Sequence, residues 1–392
     1  ILLPILPFIV ESYGAPKWVF GLLITLYSSF QFIGAPFLGS LSDNLGRKPV
    51  LLISQAGTLL SWFVFLIALY LPAFPIYGFA FPLFIIAFAR ILDGVTGGNS
   101  SVSNAYVADI TTRKEKSYVF GYLGGIAGLG MIIGPAIGGL TASSKFGYAG
   151  TMCAAILISI ITLLTIKFWL KESLPKEKRS EKKQQSIWLN ILIYKRIKNV
   201  NPAPMIKLLF SMKLFFSIMM GAYISTISLL LIDLFDFDER EMGFFMLAVG
   251  LFLAFNQAFL SKRLIKKIGE FQTLIVGLVL SVVGVFSLTF TDNLWMFLAL
   301  YYVFNLGVSL TFPTFNALIS IHADTKQQGE IMGISESINS FAMAIIPVLA
   351  ATIYGFIGYQ LYYIISVMPL IALLVALFGR DKLKNTNKQN NF

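Results

Sequence analysis

Arg90 and Asp93 stand three residues apart in a stretch that is otherwise uncharged from residue 79 to residue 107. On a helix, that spacing puts both on one face and within reach of each other. A charge at the centre of a bilayer-spanning helix costs about 2.5 kcal/mol or more. The pair therefore answers to one of two roles. It is a static ion pair that locks helix packing, or Asp93 is a carboxylate that carries a proton and that Arg90 keeps ionised between cycles. Glu336 is a second carboxylate inside an apolar run, with Ser335, Ser337 and Asn339 around it. It can carry protons, recognise a cation, or simply reach water at a helix end. Gln31, Gln55, Ser61, Asn256, Gln257, Asn305 and Asn339 are uncharged polar positions within apolar runs, able to line a solute cavity or to bond a neighbouring helix. One cysteine (Cys153) and one histidine (His322) give no framework for a disulfide or a histidine–cysteine metal site. The chain lacks a Gly-x-x-x-x-Gly-Lys-Ser/Thr string for ATP and a nucleophile–base–orienter set for enzyme catalysis.

The elements that must hold these residues are membrane helices. The chain is 57% hydrophobic and 12% charged, with a mean hydropathy of +0.78, against about 25% charged residues in soluble domains. Apolar segments long enough to cross a bilayer run over 18–41, 50–71, 79–107, 118–142, 148–170, 205–232, 242–261, 271–290, 294–321, 330–355 and 359–379. Residues 1–10 are apolar but too short, and read as the last half of a further span. The formal charge of +11 divides unevenly. Basic residues concentrate in alternate loops (42–49, 108–117, 171–204, 262–270, 322–330 and the C-terminus), leaving Lys17, Lys145 and Arg240 on the other side. The basic side is expected to be cytoplasmic. Anionic lipid head groups account for this charge without a nucleic-acid partner. One long polar break, 171–204, separates a bundle over 1–170 from a bundle over 205–379, with a tail over 380–392. The first half of the break reads as a solvated linker. The second half, 187–194 followed by Lys195, Arg196 and Lys198, suits a helix lying on the membrane. Residues 264–269 repeat the spacing of 41–46, which points to two related halves.

The loop over 39–50 carries the strongest pattern. Gly39, Leu41, Asp43, Gly46, Arg47 and Lys48 match Gly-x-Leu-Ala-Asp-x-x-Gly-Arg-Lys, with Ser42 in place of Ala. This resembles the loop between helices 2 and 3 of the major facilitator superfamily of secondary transporters. The resemblance implies an all-α integral membrane fold of two six-helix bundles, with the solute site between them near midplane. Gly39 is expected to let the flanking helices approach, and Gly46 to take a positive φ. The resemblance further implies that Asp43, held by Arg47, latches a cytoplasmic gate at the start of span 11 near Gly329 and Glu330, with Asp109 and Arg113 in the same cluster. The stretch around Arg90 resembles the family's span-4 motif, whose arginine is linked to proton transfer; Asp93 stands where Gln is usual.

In span 5, Gly130, Gly134, Pro135, Gly138 and Gly139 fit Gly-x-x-x-Gly-Pro-x-x-Gly-Gly. Gly130, Gly134 and Gly138 form one stripe at which helices can pack closely, and Pro135 removes a backbone hydrogen bond. The string looks like the antiporter motif of drug/proton exchangers. With residues 106–111 it resembles the tetracycline-resistance branch of twelve-helix exporters. The resemblance implies a functional monomer in the plasma (bacterial inner) membrane that exchanges protons for a small molecule, driven by the proton gradient and without a cofactor. It departs from that branch at position 61, where Ser61 replaces an acidic residue, and in the span over 271–290, which has no acidic residue. A tetracycline–metal complex is therefore not the expected cargo. A metabolite symporter or facilitator, and a non-transporting receptor on the same fold, are the rival readings.

Overall fold

The computed structural model describes the backbone of residues 1–111, 116–175, 177, 179, 197, 200, 202–323 and 328–389. Apart from one two-stranded hairpin, β1 Pro75–Ile76 with β2 Phe79–Ala80, its regular elements are helices. The chain forms two compact units, Ile1–Ile191 with Phe237–Leu247, and Leu192–Asp236 with Ala248–Phe392. Among the described residues, 9 helices are long and apolar enough to cross a membrane.

The first unit contains α1 Leu6–Ser12, α2 Lys17–Leu45, α3 Arg47–Ala68, α4 Phe81–Gly97, α5 Ser100–Ile110, α6 Lys116–Ala142 and α7 Gly147–Phe168. α4 packs against α2 and α3, and α7 against α3. Near the 39–50 end, Leu38, Val50, Leu51 and Val102 form a buried apolar cluster backed by Phe37, Leu41, Ile166 and Leu170. On the outer face of α3, Ile53, Leu60 and Ile67 recur every seven residues and are 54–57% exposed. An apolar stripe of this kind on a spanning helix faces lipid.

The remaining helices are α8 Pro204–Phe235, α9 Glu239–Phe255, α10 Lys262–Ile268, α11 Glu270–Ser287, α12 Leu294–His322, α13 Gln328–Ile357 and α14 Leu361–Gln389. α8 is the enclosed helix of the second unit: most of its apolar length is buried, and α13 and α14 pack on it. A π-helical turn, Asn256–Ser261, joins α9 to α10.

Three expectations change. The span expected over 79–107 is broken at Gly98 and Asn99 into α4 and α5. Glycine is a poor helix residue, by about 1 kcal/mol relative to alanine, and a Cβ at Gly98 would stand 2.6 Å from the Ala35 amide nitrogen. Close approach of α2 therefore dictates glycine there, and the helix yields. The 39–50 tether is almost entirely helical, because α2 runs to Leu45 and α3 begins at Arg47. The segment expected as a tail from 380 continues as helix to Gln389. The surface helix expected over 187–194 lies outside the described residues.

Gly46 alone joins α2 to α3, with φ 104° and ψ 159°, and Gly269 alone joins α10 to α11, with φ 82° and ψ 167°. Essentially only glycine occupies this region. The repeat seen in spacing between 41–46 and 264–269 is thus also a repeat in backbone conformation. Gly46→Ala and Gly269→Ala should each destabilise the folded protein by about 1–3 kcal/mol, read as a lower melting temperature in detergent. Gly46→Ala should cost more, because its Cβ would stand 2.5 Å from Glu172 Oε2, whereas the nearest atom at Gly269 is 3.3 Å away.

Candidate functional site

Arg90 and Asp93 lie on the buried face of α4, each 9% exposed, with Arg90 Nη1 3.3 Å from Asp93 Oδ2. The glycines of α4 place α2 against them: a Cβ at Gly94 would come within 2.5 Å of the Tyr27 carbonyl oxygen. The Arg90 guanidinium consequently lies 4.2 Å over the Tyr27 ring, and its Nε donates to the Leu23 carbonyl at 3.5 Å. Gln31 Nε2 donates to the Tyr27 hydroxyl at 3.1 Å and to the Gly97 carbonyl at 3.4 Å, joining α2 to α4 across the same site. The structure thus brings together Arg90, Asp93 and Gln31 from the sequence reading and adds Tyr27. Its i,i+4 spacing to Gln31 was the one signal that could have found it. Such a site can hold a proton on Asp93 or keep it ionised against Arg90. Removing one member of a buried ion pair costs about 3–5 kcal/mol, so the protonation state of Asp93 matters to the whole unit.

A second charged cluster centres on Arg47. Its Nη1 reaches Asp43 Oδ1 at 2.6 Å and Ser42 Oγ at 2.7 Å, while its Nε reaches Asp109 Oδ2 at 3.0 Å. Ser173 Oγ donates to the same Asp109 oxygen at 3.1 Å. Lys48 Nζ turns outward to the Lys167 carbonyl at 2.8 Å. Glu172, read from sequence as part of a solvated linker, is instead a cap. Its carboxylate accepts from the backbone N–H groups of Arg47 at 2.9 Å, Lys48 at 3.2 Å and Leu174 at 3.0 Å. An anion at the start of α3 satisfies orphan donors and complements the helix dipole. Gly39 does not serve contact between α2 and α3 as expected: it faces Ser101 of α5, whose Oγ donates to the Ala35 carbonyl at 2.9 Å and holds α5 along that side of α2. Arg113 and the side chains of the implied partner at Gly329 and Glu330 lie outside the described residues.

In the span-5 string, Gly134 and Gly138 face the backbone of Ile1, and Gly139 meets Gly243; a Cβ at Gly130 would meet nothing within 4 Å. α6 stays helical through Pro135. Among the uncharged candidates, Gln55 donates to the Ser159 carbonyl at 3.3 Å and Ser61 to the Thr58 carbonyl at 2.7 Å. Asn256, fully buried in the π-turn, donates to Asn305 Oδ1 at 3.4 Å and accepts from the Tyr302 hydroxyl at 2.9 Å. Asn305 donates onward to the Val249 carbonyl at 3.2 Å. Gln257 and Asn339 are half-buried. Glu336 pairs with Lys213 at 3.3 Å. Lys213 escaped the sequence reading because its neighbours Lys207 and 195–198 made it look like one more basic residue at a helix end. Among the described residues, no group of three or more His, Cys, Asp or Glu could hold a metal ion.

These helices, the glycine tethers and the paired intramembrane charges define a polytopic membrane transporter. The chain belongs to the Major Facilitator Superfamily, whose family model matches residues 1–347 and 258–391. It is 27% identical over 363 residues to the class B tetracycline resistance protein of Escherichia coli, covering 91% of this chain and 84% of that one. It is 30% identical to the class D protein of Salmonella ordonez, covering 91% and 85%. The mouse hippocampus abundant transcript 1 protein is 28% identical, with 96% and 72% covered. In fold it is similar to a bacterial homologue of the human lysosomal transporter Spinster, with a TM-score of 0.77 at 12% identity over 98% of this chain and 93% of that one. It is also similar to the human organic anion transporter MFSD10, with a TM-score of 0.71 at 24% identity over 96% and 94%. The chain is thus a multi-pass membrane protein of a transporter family, not an enzyme.

The Glu172 cap gives a pH signature. Burial opposes its ionisation, but the backbone donors of Leu174, Arg47 and Lys48 and the charge of Arg179 outweigh burial and hold the carboxyl below its ordinary value of 4.5. A carboxyl depressed on folding adds stability above its unfolded pKa and loses it as pH falls through the folded one. The melting temperature of the wild type should therefore exceed that of Glu172→Gln at neutral pH, and the gap should close only below pH 4.5.

Proposed function

We propose that this transporter expels small amphipathic compounds from the cytoplasm in exchange for protons. The observation that carries the reading is a carboxylate, Asp93, buried in a spanning helix 3.3 Å from Arg90. Protonating Asp93 leaves Arg90 buried with a ring face and one carbonyl. An uncompensated buried charge costs several kcal/mol, enough to bias two conformations separated by a comparable gap. Ionised and protonated Asp93 would thereby favour different states of the transporter, and that difference couples proton entry to solute exit.

The direction of transport rests on the span-5 string and on the tetracycline resistance proteins among the relatives. In this reading the basic segments, including 42–49, face the cytoplasm against anionic lipids of the plasma membrane, bacterial inner membrane included, and the protein acts as a monomer without a cofactor. Ser61 and the uncharged span over 271–290 favour a cargo other than a tetracycline–metal complex.

In proteoliposomes carrying a trapped pH dye, addition of ethidium or Hoechst 33342 should drive proton movement with the wild type. With Asp93→Asn it should fall to the passive leak, while binding of the dyes persists. Full coupling in Asp93→Asn, or wild-type dye transport indifferent to the proton gradient, would overturn the reading.

A further inference from the structure

Lys213 is 3% exposed and, among the described residues, is the one Lys, Arg, Asp or Glu buried in the second unit. It stands on α8, inside the helix rather than at its mouth. Its Nζ donates to Ser335 Oγ at 2.6 Å, to Asn316 Oδ1 at 3.3 Å and to Glu336 Oε1 at 3.3 Å. An ammonium has three donors, so all are taken and none is left for an anionic ligand.

Glu336 is built the opposite way. Its side chain is 57% exposed, and Lys213 holds only Oε1. A carboxylate has about four lone-pair sites, so most of its accepting capacity remains. The surface around it is polar. Gly333, Glu336, Ser337 and Ser340 fall at i, i+3, i+4 and i+7 along α13, all at least partly exposed. Beyond them the exposed stripe becomes Phe341, Ile345, Leu349 and Ile353, each 39–51% exposed. The apolar stripe suits lipid and the polar one suits water. Of the helices packed on α13, α8 sends Lys213 toward Glu336, while α12 over 294–321 and α14 over 361–379 have no charged residue. The accessible group is therefore a wetted carboxylate with one fixed cation behind it.

We infer that Glu336 is a subsite for the protonated amine of an organic cation, and that Lys213 is a positioning residue that holds the carboxylate in place and weakens its grip. A proton and an ammonium each bring one positive charge to the same carboxylate, so they exclude each other. Where the carboxyl carries a proton, it gives that proton up as R–NH3⁺ binds and accepts from the amine instead, and the charge of the site does not change. Lys213 opposes both guests by Coulomb repulsion, which keeps cargo and proton exchangeable rather than trapped. The inference rests on the proposed proton-coupled export and names the class of its cargo.

Calorimetric titration of the full chain in detergent with 4-phenylbutylammonium, 4-phenylbutanol and 4-phenylbutyrate tests it. The three share a skeleton and differ in charge. At roughly pH 8, where a free amine is still protonated, the wild type should prefer the amine to the alcohol by about tenfold, and acidification should erase the preference. Glu336→Gln should bind the amine no better than the alcohol at any pH. Lys213→Met should bind the amine more tightly, and Lys213→Arg should restore the wild-type affinity. Should Lys213→Met fail to fold, Glu336→Asp, which keeps the charge but shortens its reach, should retain the pH dependence at weaker affinity. An unchanged amine preference in Glu336→Gln, or tighter binding of the butyrate than of the amine, would overturn the inference. The titration needs no gradient, so its failure would leave proton-driven export standing, and failure of the Asp93→Asn flux test would leave this result standing.

Discussion

A charge placed among hydrocarbon must bring its counter-charge and hydrogen-bond partners with it, and this requirement organises the molecule. Arg90 is met by Asp93, by the Tyr27 ring and by the Leu23 carbonyl. Lys213 is met by Ser335, Asn316 and Glu336. Neither set could assemble unless the neighbouring helices approached closely. In the first unit, glycines on α4 give α2 that access. In the second, the enclosed position of α8 puts Lys213 against α12 and α13. Helix packing and intramembrane electrostatics are therefore one problem in this chain.

The two charge pairs differ in a way that fits different tasks. Arg90 and Asp93 are both buried, so a change in protonation there is felt by the helices that enclose them. Lys213 is buried while Glu336 is half in the open, so a change at Glu336 is felt first by whatever lies beside it. The Arg47 cluster is different again. It joins the ends of α2, α3 and α5 to the segment after α7 through side chains and backbone donors at the edge of the apolar region. Charges there serve the positions of helix ends: Arg47 is itself buried, and its carboxylate partners offset the cost of burying it.

Much of this was legible in the residues. Long apolar runs gave the helices, because lipid demands length and apolarity of any span. Arg90 and Asp93 announced themselves because charges are rare in such runs, and the positive φ of Gly46 followed from a glycine in the short charged stretch between two apolar runs. The misses have physical causes. Lys213 lies nine residues into α8, and sequence alone does not say where a helix meets the membrane surface. Glu172 sits in a charged stretch whose composition suits a linker, and only the fold brings it to the start of α3. Gly39 was assigned to the wrong neighbour because a glycine permits approach without naming the helix that approaches. The break at Gly98 was hidden because hydropathy is blind to backbone kinks.

The turn at Gly46 bears on mechanics. With one residue between them, α2 and α3 have no slack: neither can slide or rotate without pulling the other. Glu172 pins the start of α3 and Arg47 pins the end of α2, so the two helices form a stiff lever with its ends clamped. A shift of α2 beside Arg90 would therefore carry α3 with it and load the contacts of Arg47 with Asp43 and, on α5, with Asp109.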